Sequence, residues 1–261
     1  MLELFSRDLG GEGKPPLVVL HGLLGSSRNW LSAGKALAEN WHVQAIDLRN
    51  HGRSPHGGSM TYDDLVEDVL AWMDRRGWGQ ADFVGHSMGG KVAMCIATRH
   101  PERVRRLVVV DIAPKSYRSV GSRAEFAAMH EINLRELTSR TEAELKMETR
   151  VPDWAMRKFL TTNLERTADG DWRWAINLPG ITEALSGLED DPLAEEESFT
   201  GPSLFVLGGK SRYVREDDYV KIRQHFPAVE IQVIADSGHN PHMQSRDAFA
   251  AVISDWVGSL G

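Results

Sequence analysis

Apolar positions along the chain fall into short, nearly unbroken runs, each closed by turn-forming or charged residues. Leu17 to Leu20 precedes His21-Gly22, Val43 to Ile46 precedes Asp47, and Phe83-Val84 precedes Gly85. Leu107 to Val110 leads into Asp111, Leu204 to Leu207 into Gly208-Gly209, and Ile231 to Ile234 into Ala235. Most of these runs lack polar alternation, the pattern of strands covered on both faces of a parallel sheet. Between them the period becomes helical. Thr61 and Asp64 have capping-box spacing ahead of Leu65, Val69, Trp72 and Met73. Met88 to Arg99 carries Val92, Cys95 and Ile96 and stops before Pro101, and Asp247 to Val257 sets Phe249, Val252, Ile253 and Trp256 on one face. Strand and helix alternate, which predicts an α/β fold: a mostly parallel twisted sheet with helices on both faces.

The alternation breaks between residues 114 and 200. No buried strand is expected there, and Phe126, Met129, Leu134, Leu145, Trp154, Phe159, Leu160 and Leu185 sit in helix-like stretches. The expected organisation is a core of residues 1–113 and 201–261 with a helical insertion, 114–200. The acidic clusters Glu189-Asp190-Asp191 and Glu195-Glu196-Glu197 read as a solvated linker face.

Composition narrows the function classes. Lys plus Arg number 30 against 37 Asp plus Glu, a formal charge of −7 that opposes general nucleic-acid binding. No apolar stretch reaches the roughly 18 residues a spanning helix needs, so no integral membrane association is expected. The opening MLELFSRDLGGEGK lacks the charged start and apolar block of an export signal. The single cysteine, Cys95, excludes an internal disulfide and fits a reducing, cytoplasmic setting; its place among Val92 and Ile96 marks it as a packed thiol.

The strongest chemical signal is Gly85-His86-Ser87-Met88-Gly89-Gly90 between an expected strand and an expected helix. G-x-S-x-G in that context is a nucleophile elbow, a sharp turn that presents Ser87 just ahead of a helix N-terminus. A serine hydroxyl is a poor nucleophile at neutral pH and needs a base. His239, in Asp236-Ser237-Gly238-His239 after the last strand, is placed to reach over the sheet to Ser87. His239 and His242 have H-x-x-H spacing, but Pro241 interrupts any helix that would align them, and no metal is expected.

These motifs, with His21-Gly22-Leu23-Leu24-Gly25-Ser26 after a third strand, Asp47-Leu48-Arg49-Asn50-His51-Gly52-Arg53-Ser54 after a fourth, and Val110-Asp111-Ile112-Ala113-Pro114, resemble the α/β-hydrolase fold family over nearly the whole chain. More narrowly, the chain resembles a subfamily of small serine esterases and acyl thioesterases of bacteria and mitochondria. The resemblance implies a helical lid inserted after the sixth strand, no cofactor, and a small acyl ester or thioester as substrate. The family usually supplies the third triad member after the strand that ends here at Leu207. Ser211 stands in that place, so the acid is assigned to Asp111, as in members that carry it on the neighbouring strand; Asp217 and Asp218 are the alternatives. The resemblance also implies an oxyanion hole made by the Leu23 and Met88 main-chain N–H groups. Asp47, Arg49 and His21 are expected to order loops. Leu24, Trp154, Phe159 and Trp174 are expected to line an apolar substrate pocket between sheet and lid.

The expected activity is carboxylic-ester hydrolysis through an acyl-enzyme. The same fold hosts cofactor-free haloperoxidases and carbon–carbon bond hydrolases with the same serine triad, and receptors or interaction proteins on a retained hydrolase scaffold. A carboxylate-nucleophile enzyme is ruled against by Ser87.

Overall fold

The computed structural model describes residues 1–118 and 123–260. Its strands are β1 Ser6–Asp8, β2 Pro16–Leu20, β3 His42–Ile46, β4 Ala81–His86, β5 Val104–Val110, β6 Leu164–Arg166, β7 Trp172–Trp174, β8 Ser203–Gly208 and β9 Val229–Ile234. Its α-helices are α1 Leu31–Leu37, α2 Tyr62–Arg75, α3 Met88–Arg99, α4 Arg123–His130, α5 Arg140–Met147, α6 Trp154–Thr161, α7 Leu178–Glu189, α8 Tyr219–His225, α9 Pro241–Gln244 and α10 Arg246–Ser259. Seven strands form one sheet in the order β1-β3-β2-β4-β5-β8-β9, all parallel except β1, which pairs antiparallel with β3.

Except in edge strand β9, where Glu230, Gln232 and Val233 are exposed, the apolar runs form strands covered on both sheet faces, and the period of two divides their side chains between two cores. Leu17, Val19, Val84, Val108, Val110 and Val206 face α1 and α10, where Trp30, Phe249 and Ile253 close the layer. Val18, Leu20, Phe83, Leu107, Val109 and Phe205 face the other way, toward Leu65 and Val69 of α2, Val92 and Ile96 of α3, and Ile222 of α8. The Thr61–Asp64 box caps α2 in both directions, with Asp64 N–H to Thr61 Oγ1 at 3.1 Å and Thr61 N–H to Asp64 Oδ2 at 2.9 Å. No helix among the described residues is long and apolar enough to cross a membrane.

Two expectations need correction. The helical segment follows the fifth strand, not the sixth, because only β1 precedes Pro16–Leu20; His21-Gly22 and Asp47 accordingly follow β2 and β3 rather than a third and fourth strand. The stretch 114–200, of which residues 119–122 lie outside the described ones, also contains the hairpin β6–β7 between α6 and α7, with Leu164 opposite Trp174. Its length-three strands carry too few apolar positions to register as a sheet pattern.

Candidate active site

The C-terminal ends of β4, β5 and β8 are in register, His86 beside Val110 and Val110 beside Val206, so the loops that follow them meet. Ser87, between β4 and α3, has φ 51° and ψ −119°, a conformation that costs a non-glycine residue on the order of 1–3 kcal/mol. Its N–H donates to Val110 O at 3.1 Å, which fixes the turn. The turn is tight enough that a Cβ on Gly89 would stand 2.5 Å from His21 O, so the helix start lies directly against the β2 loop. The elbow geometry read from G-x-S-x-G is thus present in the backbone.

Asp111 directly follows β5, has φ 51° and is 1% exposed. Its carboxylate is fully engaged: Oδ1 accepts from Gly208 N–H at 2.9 Å, and Oδ2 accepts from His239 Nδ1 at 2.7 Å and from the Ser211 hydroxyl. His239 comes from the β9–α9 loop, 128 residues away in sequence. Its ring lies flat on Tyr213, centroids 3.6 Å apart and planes 11° from parallel. Its main-chain carbonyl accepts from His86 Nε2 at 2.8 Å. His86 is buried against His239 and His242, and that burial drives its ring pKa well below the ordinary value, so it serves as a neutral donor. Asp217 and Asp218 do not contact His239; Asp218 instead pairs with Lys115 and accepts from Arg215 N–H at 2.8 Å.

The loop after β2 is held by two neutral histidines. His21 donates from Nδ1 to Gly22 O at 2.8 Å and accepts Leu48 N–H on Nε2 at 3.0 Å. His51 donates to Arg49 O at 2.9 Å and accepts Leu24 N–H at 3.2 Å. Burial pushes the His51 ring down to about 3, which keeps Nε2 an acceptor. Leu24 sits at φ 60°, and its amide is consumed by His51. The amides of Leu23 and Met88, by contrast, have no acceptor within the protein among the described residues. Gly22 brings that loop against the elbow, since a Cβ there would lie 3.1 Å from Ser87 Cβ. Asp47 and Arg49 order their surroundings: Asp47 accepts from Ser27 N–H at 2.6 Å and Arg53 N–H at 2.9 Å, and Arg49 pairs with buried Asp68 at 2.7 Å.

Ser87 and His239 both open onto one cavity of about 600 Å³, and no hydrogen bond within 3.5 Å joins the Ser87 hydroxyl to the ring. Such contacts commonly tighten only when substrate is bound. Leu23, Leu24, Met88, Met156, Phe159 and Leu188 supply apolar wall. Trp154 and Trp174, expected there, do not line it. Trp154 lies on the far side of α6 from Met156 and Phe159, 62% exposed with Lys158 over its ring, and Trp174 packs in the β6–β7 hairpin.

Several contributors had no legible signal. Ser211 reads in the sequence as a lost acid, yet its hydroxyl donates to the same oxygen that holds His239. Tyr213 and Tyr117 stack at 5.6 Å, and Tyr117 Oη donates to Tyr213 O and accepts Ala113 N–H, tying the β8 loop to the β5 loop. Glu189, expected on a solvated face, is buried at the cavity wall, a correction that follows from α7 turning its C-terminal end onto Lys91 of α3. Cys95 is buried, and its thiol is pushed up to about 12.

With this geometry established, known proteins give an independent comparison. A family model described as alpha/beta hydrolase fold matches residues 15–245. The chain is 39% identical over 234 residues to the sn-1-specific diacylglycerol lipase ABHD11 of Danio rerio, covering 87% of this chain and 73% of the relative. It is 32% identical to esterase YbfF of Escherichia coli (strain K12), covering 93% and 92%. A solved structure of a marine microorganism esterase superposes with a TM-score of 0.94 at 34% identity, over 98% of this chain and 100% of that one.

Proposed function

Because this chain belongs to the alpha/beta hydrolase family, we propose that Ser87, His239 and Asp111 act as nucleophile, general base and orienting acid in the two-step hydrolysis of a carboxylic ester. That the chain is an ester-bond hydrolase is carried by relatives named as esterases and a lipase. The observation that supports the residue roles is the Asp111–His239 contact at 2.7 Å on the cavity that Ser87 also lines.

In the first step His239 Nε2 takes the Ser87 proton as Oγ attacks the ester carbonyl. The negative oxygen that forms is received by the Leu23 and Met88 amides, each worth about 3 kcal/mol to the tetrahedral intermediate. Asp111 accepts Nδ1–H, which fixes the tautomer with Nε2 free and stabilises the imidazolium. Ser211 and Gly208 donate to Asp111 and hold its carboxylate in that orientation. His239 then protonates the departing alcohol, and afterwards draws a proton from the water that releases the acid. The segment between β5 and β8 acts as a lid: Met156 and Phe159 of α6 and Leu188 of α7 roof the cavity and exclude water around an acyl chain.

The test is turnover of p-nitrophenyl butyrate by the wild type and Ser87→Ala, with circular dichroism to confirm folding. Hydrolysis by the wild type and its loss in a folded variant are expected; undiminished turnover by Ser87→Ala overturns the serine mechanism.

A further inference from the structure

The wall of the cavity carries more negative charge than an acyl pocket needs. Glu189, the last residue of α7, is 6% exposed, and neither of its carboxylate oxygens has a hydrogen-bond partner among the described residues. Among the described residues the one cation within 4.0 Å of it is Arg123, whose Nη2 stands 3.8 Å away on a side chain that is 71% exposed. Burial raises the Glu189 carboxyl above its usual range, and the nearby charges of Arg123, Lys91 and Arg118 offset that only in part. Glu125, half-buried on α4, and Asp153, exposed ahead of α6, border the same space.

Lys91 is the only lysine or arginine among the described lining residues. Its ammonium is committed to the main-chain carbonyls of Leu188, Glu189 and Asp190, at the negative end of the α7 dipole. Burial pushes Lys91 down to about 8. No cation in the wall is therefore left to receive an anion. A carboxylate brought into this space meets like charges at reduced dielectric and gives up its hydration without a partner.

We infer that the cavity selects uncharged acyl esters and turns away esters bearing a carboxylate, with Glu125 and Glu189 as specificity-determining residues. This rests on the esterase reading above and adds the substrate class. The same field drives out the product, since the acid released by hydrolysis ionises as it leaves.

The test compares methyl heptanoate with monomethyl pimelate, which replaces the terminal methyl by a carboxylate, and with a trimethylammonium-terminated methyl ester of similar length, all read by methanol release. The wild type is expected to favour the uncharged ester over the anionic one by at least about tenfold in kcat/KM, with a smaller penalty on the cation. In Glu125→Gln and Glu189→Gln that preference falls several-fold, whereas Glu39→Gln, which removes an exposed carboxylate outside the cavity, leaves it at the wild-type value. Equal cleavage of the anionic ester by the wild type, or a preference unmoved in both cavity variants, overturns the proposal. Failure of the esterase reading shows separately, as methyl heptanoate left intact by the wild type. Melting temperatures confirm that the variants are folded.

Discussion

Replacing Asp111 by Asn keeps the shape of the side chain but exchanges one acceptor for a donor, and every position around it is occupied by donors. If the amide nitrogen takes the place of Oδ1, it faces Gly208 N–H at 2.9 Å; if it takes the place of Oδ2, it faces His239 Nδ1 at 2.7 Å and the Ser211 hydroxyl. In the second arrangement His239 must give up its Nδ1 proton and carry it on Nε2, where it can no longer accept from Ser87. In the first, the imidazolium loses its countercharge and the loop after β8 loses an anchor. Either way the expected loss in kcat is about 10⁴-fold, the size found when a triad aspartate is replaced by asparagine, which corresponds to roughly 5 kcal/mol of barrier. The assay is steady-state hydrolysis of p-nitrophenyl butyrate across pH, with KM expected to change little because Asp111 does not line the cavity. A variant within tenfold of wild type would refute the assignment, above all if Asp218→Asn lost activity instead.

Three other perturbations follow from the same geometry. Ser211→Ala removes one of the two donors on Asp111 Oδ2 and should lower kcat about tenfold with little change in KM; an unaltered kcat would show that Ser211 does not position the acid. Gly22→Ala would set a Cβ 2.8 Å from His86 Nδ1, displacing the loop that carries the Leu23 amide, and should cost about 10²-fold in kcat while the protein remains folded; full activity would remove Leu23 from the oxyanion site. Acid should destabilise the fold early. His51 and His242 are held at about 3 by burial, so between pH 6.5 and 3 the unfolded chain binds more protons and stability falls as pH is lowered. From pH 7 to 5 each ring contributes a loss of about 2 kcal/mol, and His242→Phe, which keeps a ring on Trp30, should flatten the fall in urea titrations. An identical pH slope in that variant would contradict the assignment.

The central parallel strands were legible because they are covered on both faces and so are written as plain apolar runs, and the elbow because G-x-S-x-G falls between such a run and a helical pattern. Edge strand β1 was not, since its residues Ser6, Arg7 and Asp8 are polar and paired on one side only. The absence of a carboxylate at Ser211 directed attention to Asp111, which the structure places 2.7 Å from His239, but the Ser211 hydroxyl's contact depends on two loops converging on one oxygen, which no linear pattern encodes. The pocket residues were the least legible. Phe159 and Leu24 line the cavity and Trp154 and Trp174 do not, because the turn of α6 and the hairpin, rather than aromatic character, decides which side chains point inward.

Activation of Ser87 by an imidazole held on Asp111 is tested by mass-spectrometric mapping of the adduct left by a fluorophosphonate. One modification is expected, on the peptide containing Ser87, formed rapidly by the wild type and at a rate reduced by orders of magnitude in His239→Ala. Labelling on another residue, or equally fast labelling of Ser87 without His239, would contradict it.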